Sequence, residues 1–276
     1  MESSNIPWHP AFIEAIQLEL EAYRDSLEFY PEYQLTTEPL RIDCIIIKKS
    51  KDTVIEKNIA AMFREVNLLE YKSPGDYVSI KDFYKVYSYA CLYASLEEYP
   101  ITNITLSFIE SRYPKALLKH LKNVRGYKVE ERSPGVYTVK GDILPIQLID
   151  NRKLSWEENL WLKGLSNQLD SLAIIRISDE AVKKDIRIQA YMNAIAKANF
   201  LAIEEAKNMS TAAKSLEEVF VRTGWAAEWE AKGEERKAID IAQNMVDLGF
   251  PLGAIVSATR LGIEKVEKLF QKESSG

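Results

Sequence analysis

Glu70-Tyr71-Lys72 puts a carboxylate and an ammonium two residues apart, directly after the apolar pair Leu68-Leu69. In an extended strand, residues two apart share a face, so Glu70 and Lys72 point the same way. Asp43 stands 27 residues before Glu70, inside another apolar run between Ile42 and Ile45. A carboxylate in such a run is costly unless it meets a partner or a metal ion. If the two runs are neighbouring strands, Asp43 and Glu70 can hold one divalent cation through oxygen, with Lys72 beside it. Mg²⁺ takes oxygen ligands and keeps part of its water shell. It acidifies a bound water and stabilises charge on a phosphate. A lysine near a ligand can orient that water or offset the developing charge. These residue types therefore suit phosphodiester hydrolysis. The competing account is a strand-end ion pair. E-x-K occurs four times in the chain, and the other three, beginning at Glu205, Glu230 and Glu235, lie in helical patterns.

The elements that must carry these side chains can be read in order. Residues 8–29 carry Phe12, Ile16, Leu20, Tyr23 and Leu27 at helical spacing, and Pro31 ends the pattern. Glu14, Glu21, Asp25 and Glu28 fall on the outward side of this predicted helix. Glu19 points towards the core edge and is the third candidate metal ligand. Leu40–Ile47 and Phe63–Tyr71 read as buried strands, and Ser79 with Asp82 is a capping box opening a helix to Leu96. A strand at Ile104–Ile109, a helix at Pro114–Val124, a hairpin around Ser133-Pro134-Gly135 and a strand at Ile143–Ile149 follow. After Asp150 only helical patterns remain. The fold class is α/β with an all-helical C-terminal region, divided as 1–150, 151–222 and 223–276.

Composition narrows the field. The 276 residues carry a net charge of −5, which argues against a chain held to nucleic acid by overall charge alone. Two cysteines, Cys44 and Cys91, are too few for a disulfide framework or a cysteine zinc site. The start MESSNIPWHPAF has no signal-peptide pattern, and no apolar run approaches the ~20 residues of a membrane span. A cytoplasmic protein with no membrane partner is the expectation. Gly-rich phosphate loops and the G-x-S-x-G elbow are absent, and His9 and His120 are the only histidines. Carboxylates and lysines must carry any catalysis.

The order helix, strand with Asp43, strand with Glu70-Tyr71-Lys72, Ser73-Pro74 and amphipathic helix resembles the PD-(D/E)xK nuclease superfamily. The stretches WHPAF, LRIDCIIIKK, EYKSPGDY and FYKVYSYACLY are similar to bacterial members of its recombination-promoting nuclease and transposase group. The resemblance implies a restriction-endonuclease-like mixed sheet flanked by helices. It also implies Mg²⁺ (or Mn²⁺) as cofactor and DNA as substrate. Carried over, Asp43 and Glu70 are metal ligands, Lys72 is the catalytic lysine and Glu19 is a helix ligand. Two departures stand out. Ile42 replaces the proline of the motif, and the helix after Lys72 has Tyr84, Lys85 and Tyr87 in place of a Gln-then-Tyr pattern.

Between Ser111 and Val129 there are six basic residues and no acidic one. Lys115, Lys119, Lys122 and Arg125 recur at helical spacing and form one stripe opposite Leu117, Leu118 and Leu121. Such a face can neutralise phosphates without reading sequence. The tail Gly249–Gln271 reads as a helical hairpin for packing or self-association, with Trp225 and Trp229 as core or interface anchors and a homodimer as one outcome. A non-catalytic DNA-binding protein and a helical assembly module are the alternative functions.

Overall fold

The β-branched runs at residues 42–47, 104–109 and 146–149 become strands of one seven-stranded mixed sheet. The computed structural model describes residues 6–34, 41–50, 52–184, 188–209 and 213–273. Helix α1 (Trp8–Glu19) leads into β1 (Leu27–Gln34), β2 (Arg41–Lys48) and β3 (Val66–Tyr71), an antiparallel meander. Helix α2 (Ile80–Leu96) crosses to β4 (Ile104–Glu110), which lies parallel to β3. Helix α3 (Lys115–Arg125) leads to the hairpin β5 (Lys128–Ser133) and β6 (Val136–Lys140), then to β7 (Ile146–Asp150), parallel to β4. The strand order is β1-β2-β3-β4-β7-β6-β5.

Alternation along the central strands sends two residue sets to two faces. Val66 and Leu68, Leu106 and Phe108, Ile146 and Leu148 form one core with Phe83 and Val86 of α2 and Leu117 and Leu121 of α3. The capping box of α2 is present as expected, with Ser79 Oγ accepting from Asp82 N and Asp82 accepting from Ser79 N. The other face meets α1, whose Phe12 ring stacks on Tyr71 at 4.7 Å between centroids. That face also buries Asn67, Thr105, Ser107 and Gln147. The Gln147 amide N–H group donates to Ser107 Oγ at 2.7 Å and to the Ile59 carbonyl at 2.8 Å, while its buried Oε1 has no hydrogen-bond partner.

Residues 27–34 correct the sequence reading, which kept them helical to Phe29. Helix α1 ends at Glu19, a 3₁₀ turn covers Glu21–Ser26, and the chain then pairs with β2 as an edge strand. Pro31 is compatible with an edge because its missing N–H can face away from the ladder. Leu27, Phe29, Tyr30 and Tyr33 supply β-propensity.

The chain divides into two compact units, Met1–Leu216 and Glu217–Gly276. The sequence boundary at 150/151 falls inside the first unit. Helices α4 (Leu160–Lys163), α5 (Ser171–Val182), α6 (Gln189–Ala198) and α7 (Phe200–Asn208) belong to it, and α4 and α6 pack on α1. The helical pattern over residues 179–208 is divided among three segments, the end of α5, α6 and α7. Helix α8 (Ala213–Thr223) spans the division. The second unit contains α9 (Trp225–Asp247), α10 (Leu252–Thr259) and α11 (Ile263–Glu273) around its own core of Ala242, Val246, Ile255, Leu261 and Val266. The side chains of Trp225 and Trp229 lie outside the described residues. Among the described residues no helix is long and apolar enough to cross a membrane.

Candidate active site

Strands β2 and β3 are direct neighbours, with Cys44 opposite Leu69 and Ile45 opposite Leu68. The pairing ends there, and Asp43 and Glu70 are the next residues of the two strands. The Asp43 side chain closes the ladder at this end, where its Oδ2 accepts the Tyr71 backbone N–H at 2.8 Å. Glu70 is 4% exposed. Its pKa is raised, first by burial and then by the charge of Asp43, and the Lys72 ammonium offsets this only in part.

Lys72 sits just past the end of β3, its N–H donating to the Ile109 carbonyl of β4 at 2.8 Å. Its Nζ lies 3.1 Å from Glu70 Oε1 and 3.0 Å from Asp82 Oδ1. The ammonium is partly desolvated, but the two carboxylates outweigh that cost and hold its pKa above the ordinary lysine value. Asp82 is fixed in turn by Ser79, whose N–H and Oγ–H both donate to its Oδ2. The N-cap of α2 therefore also places the candidate catalytic lysine.

His9 is the site residue that sequence reasoning missed. From the first turn of α1 its Nδ1 reaches within 3.4 Å of Asp43 Oδ1. The hydrogen bond and charge of Asp43 raise its pKa against the lowering effect of burial. The available signal was Trp8-His9-Pro10 itself, one of two histidines placed at a helix start. Beside it lies a pocket of about 290 Å³ bordered by His9, Ile13, Glu14, Pro31, Glu32 and Asp43. Glu32 has a left-handed backbone (φ 48°) and is skipped by the β1–β2 pairing, which runs Pro31–Cys44 then Tyr33–Ile42. The irregularity in the edge strand thus falls beside Asp43.

Glu19 is a correction. Its Oε1 accepts the N–H groups of Trp161 (2.7 Å) and Leu162 (3.0 Å), and its Oε2 pairs with Lys57 Nζ at 2.6 Å. It caps the start of α4 through Oε1, and its other oxygen is spent on Lys57. The helical register correctly turned Glu19 inward, but the inward side of α1 also meets the following helices. Glu14, expected in solvent, does the same for α6: its Oε2 accepts from Tyr191 N at 2.6 Å. Burial raises the pKa of both acids, and their hydrogen-bond donors partly offset it.

The residues present fit a hard divalent cation by their donor chemistry. The charge of Asp43 makes ionisation of buried Glu70 harder, a conflict a cation relieves. The protein-derived donor set is small. Among the described residues no group of three or more His, Cys, Asp and Glu side chains is gathered tightly enough to hold an ion. Water and substrate oxygen would have to supply the other ligands, as Mg²⁺ usually allows.

On α3, Lys115, Lys119 and Lys122 are exposed, and the opposite face is buried as predicted. Arg125 leaves the stripe. It lies seven residues past the buried Leu118, so helical geometry turns it inward. Its Nη2 is 3.2 Å from Asp142 Oδ2, and its guanidinium stacks on Tyr87 and Tyr127 at 4.9 Å each.

No family model, no curated protein and no solved structure matches this chain.

Proposed function

We propose that this chain is a divalent-metal-dependent DNA endonuclease with a restriction-endonuclease-like core, akin to the recombination-promoting nuclease and transposase group. The observation that carries the reading is the meeting of Asp43, Glu70 and Lys72 at the ends of β2 and β3. The order α1-β1-β2-β3-α2-β4, an antiparallel meander followed by a parallel strand, supports it. Asp43 and Glu70 would hold Mg²⁺ or Mn²⁺, which supplies an acidified water and a counter-charge for the scissile phosphate.

The chain's own residues do the rest. Lys72, held near Glu70 and Asp82, presents an ammonium that stays protonated at neutral pH, close to where phosphate charge develops. Asp43 is aimed by the Tyr71 N–H, and its other oxygen holds His9 with a proton on Nδ1 over a wider pH range than a free imidazole. Phe12 stacks on the ring of Tyr71, the residue between Glu70 and Lys72, and so packs α1 against the backbone that carries them. The exposed Lys115, Lys119 and Lys122 offer phosphate contacts on a helix packed beside α2.

A non-catalytic DNA-binding protein is the second reading. The observation favouring it is that Lys72 is already neutralised by two carboxylates. Incubating supercoiled plasmid with the protein and Mg²⁺, with and without EDTA, separates the two. Metal-dependent nicking supports the nuclease. Binding without nicking under Mg²⁺ and Mn²⁺ supports the second reading.

A further inference from the structure

The C-terminal ends of the parallel strands β3, β4 and β7 bring three charged residues to one rank. Glu110 pairs with Asp150 across β4 and β7, and Lys72 comes one residue after the Tyr71–Ile109 pair, level with Glu110. Glu110 is 1% exposed. Its Oε2 accepts the Val78 N–H at 3.0 Å, and its buried Oε1 has no hydrogen-bond partner. An acid with one unmet oxygen in this position is costly, so core stability does not account for it.

Its single bond reaches the segment that joins Lys72 to α2. Val78 precedes Ser79, Ser79 fixes Asp82, and Asp82 holds Lys72 Nζ. We propose that Glu110 is a positioning residue for Lys72, acting through Val78, Ser79 and Asp82. This rests on the reading of Lys72 as the catalytic lysine. The charged groups that act on Glu110 are Asp150 and Asp76, which oppose its ionisation, and Arg152, which favours it. Arg152 is occupied by Asp150, at 3.3 Å from Nε to Oδ1. Burial adds to the two acids, so the carboxyl titrates at about 7. The strength of the Val78 tether then changes over neutral pH, since a carboxylate accepts a hydrogen bond more strongly than a neutral acid.

The test compares wild type with Glu110→Gln, which keeps an acceptor, and Glu110→Met, which fills the space without one and places no polar group in the core. Three quantities are read: hydrogen exchange at the Val78 amide, the acylation rate of Lys72 by an amine-reactive reagent followed by mass spectrometry, and single-turnover plasmid cleavage. Glu110→Met should expose the Val78 amide, speed Lys72 acylation several-fold and slow cleavage about tenfold to a hundredfold, with DNA affinity unchanged. Glu110→Gln should restore all three near wild-type values and flatten the pH dependence of cleavage between about 6 and 8. Folded Glu110→Met with wild-type Lys72 acylation overturns the proposal, as does unchanged Val78 protection. If the wild type cleaves no DNA, the nuclease reading fails instead, and Lys72 acylation still decides the role of Glu110.

Discussion

Asp43 accepts the backbone N–H of Tyr71, the residue between Glu70 and Lys72. A side chain of β2 thus takes the place of the next ladder bond to β3. The bond ties the position of one candidate ligand to the backbone that presents the other two residues. Replacing Asp43 would remove a charge and also release the end of β3, so effects at that position mix chemistry with local order. Lys72 and Glu70 give cleaner tests.

Lys72→Ala should lower single-turnover cleavage by about 10²–10³ while changing DNA affinity little, as for a stabiliser aimed at the transition state. Lys72→Arg should recover only part of this, because a planar fork does not replace a compact ammonium. A thermal melt of each variant checks that the fold persists. Full cleavage by folded Lys72→Ala would reduce Glu70-Tyr71-Lys72 to a strand-end charge pair.

Glu70→Gln should raise the melting temperature of the metal-free protein, since burial and Asp43 both oppose the charge it carries. Wild type should gain stability on adding Mg²⁺, by about 2.7 kcal/mol at a hundredfold excess over Kd, and Glu70→Gln should gain much less. Calorimetric melts with and without Mg²⁺ measure both. Equal Mg²⁺ responses in the two proteins would remove Glu70 from the ligand set.

Glu19→Ala should destabilise the fold by about 3 kcal/mol, because two N–H groups at the start of α4 and the Lys57 ammonium lose their acceptor. Its Mg²⁺-induced shift in melting temperature should match wild type. A lost Mg²⁺ response with unchanged stability would restore Glu19 as a metal ligand.

Charge reversal at Lys115, Lys119 and Lys122 together should weaken binding to all DNA sequences about equally and flatten the logarithmic salt dependence by about one unit of slope per lost contact. Titrations at several salt concentrations read this directly. Arg125→Ala should instead lower the melting temperature, since it removes the ion pair to Asp142 and the stacking on Tyr87 and Tyr127. Unchanged binding by the triple variant would leave α3 an ordinary solvated helix.

Glu110 should make folding stability fall as pH rises. Its folded pKa of about 7 lies above the reference value of 4.5, so between these values the folded state binds more protons than the unfolded one. The contribution is complete below about 4.5 and is lost as pH rises towards 7. Denaturation at a series of pH values should show this slope in wild type and not in Glu110→Gln. The same slope in both would place the titration elsewhere.

The parts of the fold legible in the sequence are those set by local pattern. Ile42, Ile45 and Ile46 announce β2, Ser79 and Asp82 announce the start of α2, and Leu117, Leu118 and Leu121 announce the buried side of α3. Asp43 with Glu70 and Lys72 was legible because an acid in an apolar strand needs an explanation. What was not legible depends on partners distant in sequence. Glu19 and Glu14 both satisfy helix starts more than a hundred residues away, and no local spacing distinguishes a capping acid from a metal ligand. Strand β1 was hidden because Pro31 reads as a terminator unless its strand is known to be an edge. His9 was hidden because only the packing of Phe12 on Tyr71 brings the start of α1 over Asp43.

The two acids of α1 also tie the start of the chain to residues beyond the sheet. A fragment ending at Asp150 would keep every strand of the sheet but strand Glu14 and Glu19 without the N–H groups of Tyr191, Trp161 and Leu162. It would also bare the side of α1 now covered by α4 and α6. Helix α1 carries His9 and Phe12, so loosening it would disturb the Asp43 end of the site. The sheet and helices α4 to α7 therefore belong together in the first unit. A truncation that parts them would disturb the candidate site along with the helices.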